Sequence, residues 1–110
     1  MTIDAVAAAV EQVESRGEWW AERGRYRGVM QVCTRWSKVP PAQLWIPDIN
    51  RSEGKRLLLY WYSKSNHDWA YALAAYNCGW GGLAGKCGKG YAAKVLSVAR
   101  RQDGKGKVDL

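Results

Sequence analysis

From Ile3 the chain places an apolar residue at every third or fourth position. At about 100° per residue, Ile3, Val6, Ala7, Val10 and Val13 fall in one sector, which predicts a short amphipathic helix within "DAVAAAVEQVESRG", Asp4 to Gly17. Glu14 lies inside that apolar sector and Glu11 at its edge. The next stretch, Ser15 to Gly28, mixes three glycines with alternating charges and predicts a loop or short turns ahead of "GVMQV". Pro40, Pro41 and Pro47 bracket a second irregular region. After it, "PDINRSEGKRLLLYWYSK" predicts a helix through Lys64, with Asp48, Asn50 and Ser52 as candidate N-caps. A further helix begins from Ser65 or Asn66 and ends near Asn77, with Trp69, Ala72, Leu73 and Tyr76 on its apolar face; Asp68 is read as a first-turn carboxylate and His67 as a first-turn surface residue. Six glycines between Cys78 and Gly90 predict a tight loop without regular structure, pinned by Trp80 and Leu83. Tyr91, Val95, Val98 and Ala99 define a last helix, and a polar tail closes the chain. With no strand alternation and no internal repeat, the fold class predicted is mainly α.

Length adds that this is one domain: 110 residues bury a single small core. The expected division is a folded domain over residues 1–101 and a flexible polar tail over 102–110. Seven tryptophans and six tyrosines, with no phenylalanine, give every aromatic side chain a polar handle, a composition suited to a half-wet binding groove. The net charge of +7 implies an acidic partner: nucleic acid, anionic lipid, or an acidic cell-wall polymer. The amino terminus "MTIDAV" has no basic segment leading into an apolar run, and no stretch reaches the length of a membrane span, so a soluble chain made in the cytoplasm is expected. Cys33, Cys78 and Cys87 form neither a CxxC pair nor an even set, so no zinc site or disulfide framework is indicated, although Cys78 and Cys87 could close a small loop. No metal or cofactor is implied.

Glu14 is the residue with candidate chemistry. A carboxylate at a helix C-terminus meets the negative end of the helix dipole, and one on an apolar face loses water; both raise its pKa. A carboxyl that holds its proton near neutral pH can hand it to a leaving oxygen, as glycosidic cleavage requires. The plain alternative is a frayed helix end with Glu14 turned into solvent.

Four motifs in order bear on that choice: "ES" at Glu14 and Ser15, "GVMQ" at Gly28 to Gln31, "AAYNCG" at Ala74 to Gly79, and "YAAKVL" at Tyr91 to Leu96. Together they resemble the ordered motifs of the soluble lytic transglycosylases and their goose-type lysozyme relatives, over Ile3 to about Arg100; "IPDIN", Ile46 to Asn50, resembles the start of that family's middle helix. The resemblance implies a single lysozyme-like domain with a sugar-binding groove, peptidoglycan glycan strands as substrate, and Glu14 as the one catalytic acid/base. In such enzymes the acid protonates the oxygen between N-acetylmuramic acid and N-acetylglucosamine. Its carboxylate then activates the muramic acid 6-hydroxyl, which closes a 1,6-anhydro ring without water.

By the same resemblance Ser15, Met30, Gln31, Tyr76, Asn77 and Tyr91 belong to the substrate-binding site. The residue types suit it: Gly28 lets the backbone approach a ligand, Met30 is an apolar filler, Gln31 offers a donor and an acceptor, and Tyr76 and Asn77 end a helix beside a glycine loop. Taken singly, each also reads as packing: a core methionine, a solvated glutamine, a helix C-cap, a core tyrosine. The loop "RGEWWAERGRYRG" departs from the family's usual serine-, alanine- and glycine-rich composition. Glu18 or Glu22 within it could supply a second carboxylate and so a hydrolytic muramidase, and Trp19, Trp20 and Trp80 could stack on sugars. A short basic chain of this kind suits a bacteriophage endolysin that acts on the wall after release, as a monomer and with electrostatic contact to an anionic wall or membrane. A basic nucleic-acid-binding module is the alternative from another class; it lacks any recognisable motif, and no nucleic acid is expected. A catalytically dead relative in a virion or secretion assembly is disfavoured by an intact Glu14, "GVMQ" and "AAYN".

Overall fold

A computed structural model describes residues 1–108, with side chains for residues 1–102. Helix α1 (Ile3–Glu14) is followed by three two-residue strands, β1 (Glu22–Arg23), β2 (Tyr26–Arg27) and β3 (Val32–Cys33). A 3-10 turn at Pro41–Trp45 then leads into α2 (Pro47–Lys64), α3 (Trp69–Cys78), α4 (Trp80–Leu83) and α5 (Lys89–Val108). The four longer helices match those read from the sequence, and the domain is mainly helical.

The apolar sector of α1 is buried through Val6, Ala7, Ala9 and Val10, and the Thr2 hydroxyl caps its start by accepting from the Ala5 N–H at 3.1 Å. That face packs on α5, α5 on α3, and α3 on α2. Val10, Leu58, Trp61, Leu73 and Val95 meet in one core, and burying each such side chain contributes roughly 1.5–3 kcal/mol. Trp61 is the largest side chain fully enclosed.

Several expectations are corrected. Helix α2 starts at Pro47, whose fixed φ suits the first turn, and neither Asp48, Asn50 nor Ser52 caps it. Asp68, rather than Ser65 or Asn66, caps α3, accepting from the Ala70 N–H at 2.9 Å and from Tyr71 at 3.4 Å. His67 sits outside the helix, at φ 63°, with its ring stacked on Tyr62. The loop after α1 holds a three-stranded antiparallel sheet, in which Glu22 pairs with Arg27 and Tyr26 with Cys33. Strands of two residues are too short to show alternation in sequence.

The Cys78–Gly90 segment is not loop alone. It contains α4, and Gly82 there lies so close to the Ala74 backbone that a Cβ would have no room. Cys78 and Cys87 are joined by a disulfide across this turn, while Cys33 is free and buried. Finally, α5 runs to Val108, through most of the stretch expected as tail; the last two residues lie outside the described ones. Among the described residues no helix is long and apolar enough to cross a membrane.

Candidate active site

Glu14 is the last residue of α1, and the chain must turn sharply after it. Ser15 makes that turn. Its backbone leaves helical geometry, its Oγ donates to the Val29 carbonyl at 2.6 Å, and the Gly17 N–H donates to the same Oγ at 3.0 Å. The hydroxyl thus fastens the end of α1 to the "GVMQ" segment, and Glu14 cannot fray into solvent without breaking a buried bond.

Asn50 fastens "GVMQ" from the other side. Fully buried on α2, it accepts from the Met30 N–H at 2.9 Å and donates to the carbonyls of Arg27 at 2.7 Å and Leu44 at 2.9 Å. Gly28, at φ 78°, abuts the Asn50 side chain and the Leu44 carbonyl, so its missing Cβ admits a bracing side chain rather than a ligand. Gln31 follows at φ 49° and is 1% exposed; its Nε2 donates to the carbonyls of Ala21 at 2.9 Å and Gly28 at 3.0 Å. Tyr76, on α3, donates its hydroxyl proton to the Met30 carbonyl at 2.7 Å.

Beside this scaffold lies an open hollow of about 510 Å³, lined by Glu14, Ser15, Asn77 and Tyr91 together with Arg23, Lys94 and Glu18. Four of the seven site residues read from the sequence therefore meet in one place. Met30, Gln31 and Tyr76 do not line it. They are almost entirely buried behind it, and their hydrogen bonds hold "GVMQ". The Gln31 Oε1 is buried without a hydrogen-bond partner among the described residues, as is the Tyr91 hydroxyl.

Electrostatics set the chemistry of the hollow. Burial pushes the Glu14 carboxyl from 4.5 up to about 7, against the smaller opposing pull of Arg23 and then Lys94. The tyrosines around it respond: burial, and next the Glu14 charge, hold Tyr76 and Tyr91 well above the ordinary tyrosine value. Tyr26 is raised by burial, then by Cys33 and Glu14, and its hydroxyl donates to the Asn77 carbonyl at 2.9 Å, tying the sheet to the end of α3. A carboxyl poised near 7 beside neutral phenols can both give and take a proton close to neutral pH.

Sequence reasoning missed Arg23, Lys94, Tyr26 and Asn50. Asn50 lies in "IPDIN" and could have been found there, since a buried asparagine must satisfy its whole amide; the other three carried no local signal. Of the two alternative carboxylates, Glu22 is paired with Arg27 at 3.2 Å, while Glu18 shares the hollow. Trp19 and Trp20 are exposed and pack edge to face on the loop that borders it. Among the described residues no group of three His, Cys, Asp or Glu side chains could hold a metal ion.

The pattern of the family described as Transglycosylase SLT domain matches residues 3–95, which span α1 to the middle of α5 and every residue of the hollow. No curated protein and no solved structure matches the chain. A helical domain with a water-poor glutamic acid at the end of its first helix, matched over most of its length, settles the relationship: the chain belongs to the transglycosylase SLT domain family.

Proposed function

We propose that this protein cleaves the β-1,4 bond between N-acetylmuramic acid and N-acetylglucosamine in peptidoglycan by lytic transglycosylation, with Glu14 as the only acid/base. Membership of the family supports lytic transglycosylase-type degradation of peptidoglycan in general. The observation that carries the finer reading is the carboxyl of Glu14, raised to about 7 by burial at the wall of an open hollow. In the first half of the reaction Glu14 gives its proton to the glycosidic oxygen, the bond from that oxygen to the muramic acid C1 breaks, and the N-acetylglucosamine 4-hydroxyl leaves. In the second, the Glu14 carboxylate takes the proton of the muramic acid 6-hydroxyl as its oxygen bonds to C1, closing the anhydro ring and restoring the acid.

In this reading the Tyr91 hydroxyl and the Asn77 amide contact the sugars or the carboxyl, Ser15 holds Glu14 in place, and Met30, Gln31 and Tyr76 keep the wall behind it rigid. Arg23 and Lys94 stabilise the carboxylate that forms midway. The presence of Glu18 in the same hollow favours one second reading, hydrolysis by a carboxylate pair that activates water. Mass spectra of muropeptides released from isolated peptidoglycan decide: 1,6-anhydro ends support transglycosylation, reducing ends support the muramidase, and no release by wild type overturns both. The same reading extends to host lysis by a bacteriophage, for which the charge of +7 suits an anionic wall. Expression in a bacterium whose inner membrane is then permeabilised should clear the culture, and persistence of intact cells would argue against that role.

A further inference from the structure

The groove continues past Arg23. On its far side is a second hollow of about 420 Å³, whose wall is formed by Arg23, Arg25, Arg35, Tyr26, Trp36 and Trp80, with the Cys78–Gly79 turn beside them and not one aspartate or glutamate. Three other arginines are matched to acids: Arg27 to Glu22, Arg51 to Glu11 and Asp48, Arg56 to Glu53. Arg23, Arg25 and Arg35 have no acidic partner among the described residues, although they converge on one recess. Three like charges facing one space repel each other unless an anion enters it, and the guanidinium fork matches a carboxylate in two parallel hydrogen bonds.

The recess is also built to stay open. Arg35 lies over the Trp36 ring at 5.4 Å, and Trp36 and Trp80 both pack edge-on against the buried Trp61. The segment after Trp36 is clamped from beneath: buried Glu53 accepts from the Ser37 hydroxyl and the Lys38 N–H, and Arg56, paired to Glu53, donates to the Trp36 carbonyl at 3.2 Å.

Because Arg23 lines both hollows, the second recess adjoins the one over Glu14 and lies within reach of a group attached to a glycan bound there. The pyranose backbone of a glycan strand carries no charge to meet three guanidinium groups. The carboxylates of peptidoglycan sit on the short stem peptides amide-linked to the muramic acid lactyl groups. We propose that the recess formed by Arg23, Arg25 and Arg35 binds the carboxylates of a stem peptide, so that the enzyme selects peptide-bearing glycan over bare glycan. This rests on the reading of Glu14 as the acid of glycan cleavage. The aromatic walls take the aliphatic part of the peptide while Arg25 and Arg35 take its charge.

The test compares two substrates free of other wall polymers: soluble glycan strands with their stems, and the same strands stripped of stems by an amidase, with the lactyl carboxylates so exposed converted to primary amides. Wild type should cleave stem-bearing strands with a kcat/KM about tenfold higher or more, the worth of one or two charge-assisted hydrogen bonds, and the gap should shrink with added salt. In Arg25→Gln/Arg35→Gln the rate on stem-bearing strands should fall to that on stripped strands, with the stripped-strand rate unchanged and an unaltered circular dichroism spectrum. Converting the stem carboxylates to primary amides should have the same effect on wild type. Equal cleavage of both substrates by wild type, or a double variant slowed equally on both, overturns the selection while leaving Glu14 chemistry intact. Cleavage of neither overturns the reading on which the selection rests.

Discussion

Glu14 loses water by burial and gains no hydrogen-bond donor among the described residues, an imbalance that two separate measurements should show. Its proton is held up to about pH 7 in the folded chain and released near 4.5 in an unfolded one. Between those values the folded state binds the extra proton, so stability declines as pH rises from 4.5 to 7 and then levels off. Glu14→Gln removes that slope. The variant should be more stable than wild type at pH 8 by on the order of 2–3 kcal/mol in urea unfolding, with the difference gone at pH 4.5, while turnover falls by roughly 10² or more. In the proposed mechanism the protonated form starts the reaction, so kcat/KM should drop as pH rises through about 7. Lys94 pulls that value down, so Lys94→Gln should move the alkaline limb to higher pH; an unmoved limb would mean that another group controls it. The helical wheel placed Glu14 on the apolar side of α1 and so exposed its character in sequence alone. Of the charges that temper it, Arg23 lies on β1 across an irregular loop and Lys94 on α5 near the other end of the chain, and no local pattern pairs either with α1.

At the scale of elements, the site depends on a segment too irregular to be an element. "GVMQ" is fixed by side chains from the cap of α1, from α2 and from α3: Ser15, Asn50 and Tyr76 each bond its backbone. Gly28→Ala should destabilise the fold by at least about 2 kcal/mol, because the added Cβ both meets Asn50 and the Leu44 carbonyl and opposes a positive φ; chemical denaturation reads the loss. Gln31→Leu removes two side-chain hydrogen bonds and should cost about 1–3 kcal/mol, with activity falling through disorder of the wall rather than a shift of the pH profile. Periodicity revealed α1, α3 and the first part of α5, where apolar faces repeat, and proline and cap signals revealed α2. It missed the sheet, whose strands offer no repeat to detect, and it missed α4, where Gly81 and Gly82 look like loop residues but Gly82 is small in order to pack against α3. The family resemblance, not periodicity, put Met30, Gln31 and Tyr76 in the substrate-binding site; spacing does not say whether a string lines a groove or stands behind it, and these three lie behind the hollow.

Over the whole molecule, the disulfide between Cys78 and Cys87 binds the end of α3, which carries Asn77, to the residues leading into Tyr91 on α5. Cys78→Ser/Cys87→Ser should lower stability by about 2–3 kcal/mol, the worth of closing a loop of this length, and thermal unfolding under matched conditions reads it. A second feature reaches further. Glu14 stands near the beginning of the chain and Tyr91 and Lys94 near its end, and they come together only because α1 lies against α5. Neither half of the polypeptide owns the hollow, so an incomplete chain, or one clipped so that either terminal helix comes away, has no partial enzyme to offer. Its loss of catalysis and its loss of structure should follow a single curve, and a truncated messenger or an early proteolytic nick would leave an inert fragment instead of an uncontrolled wall-cutting one.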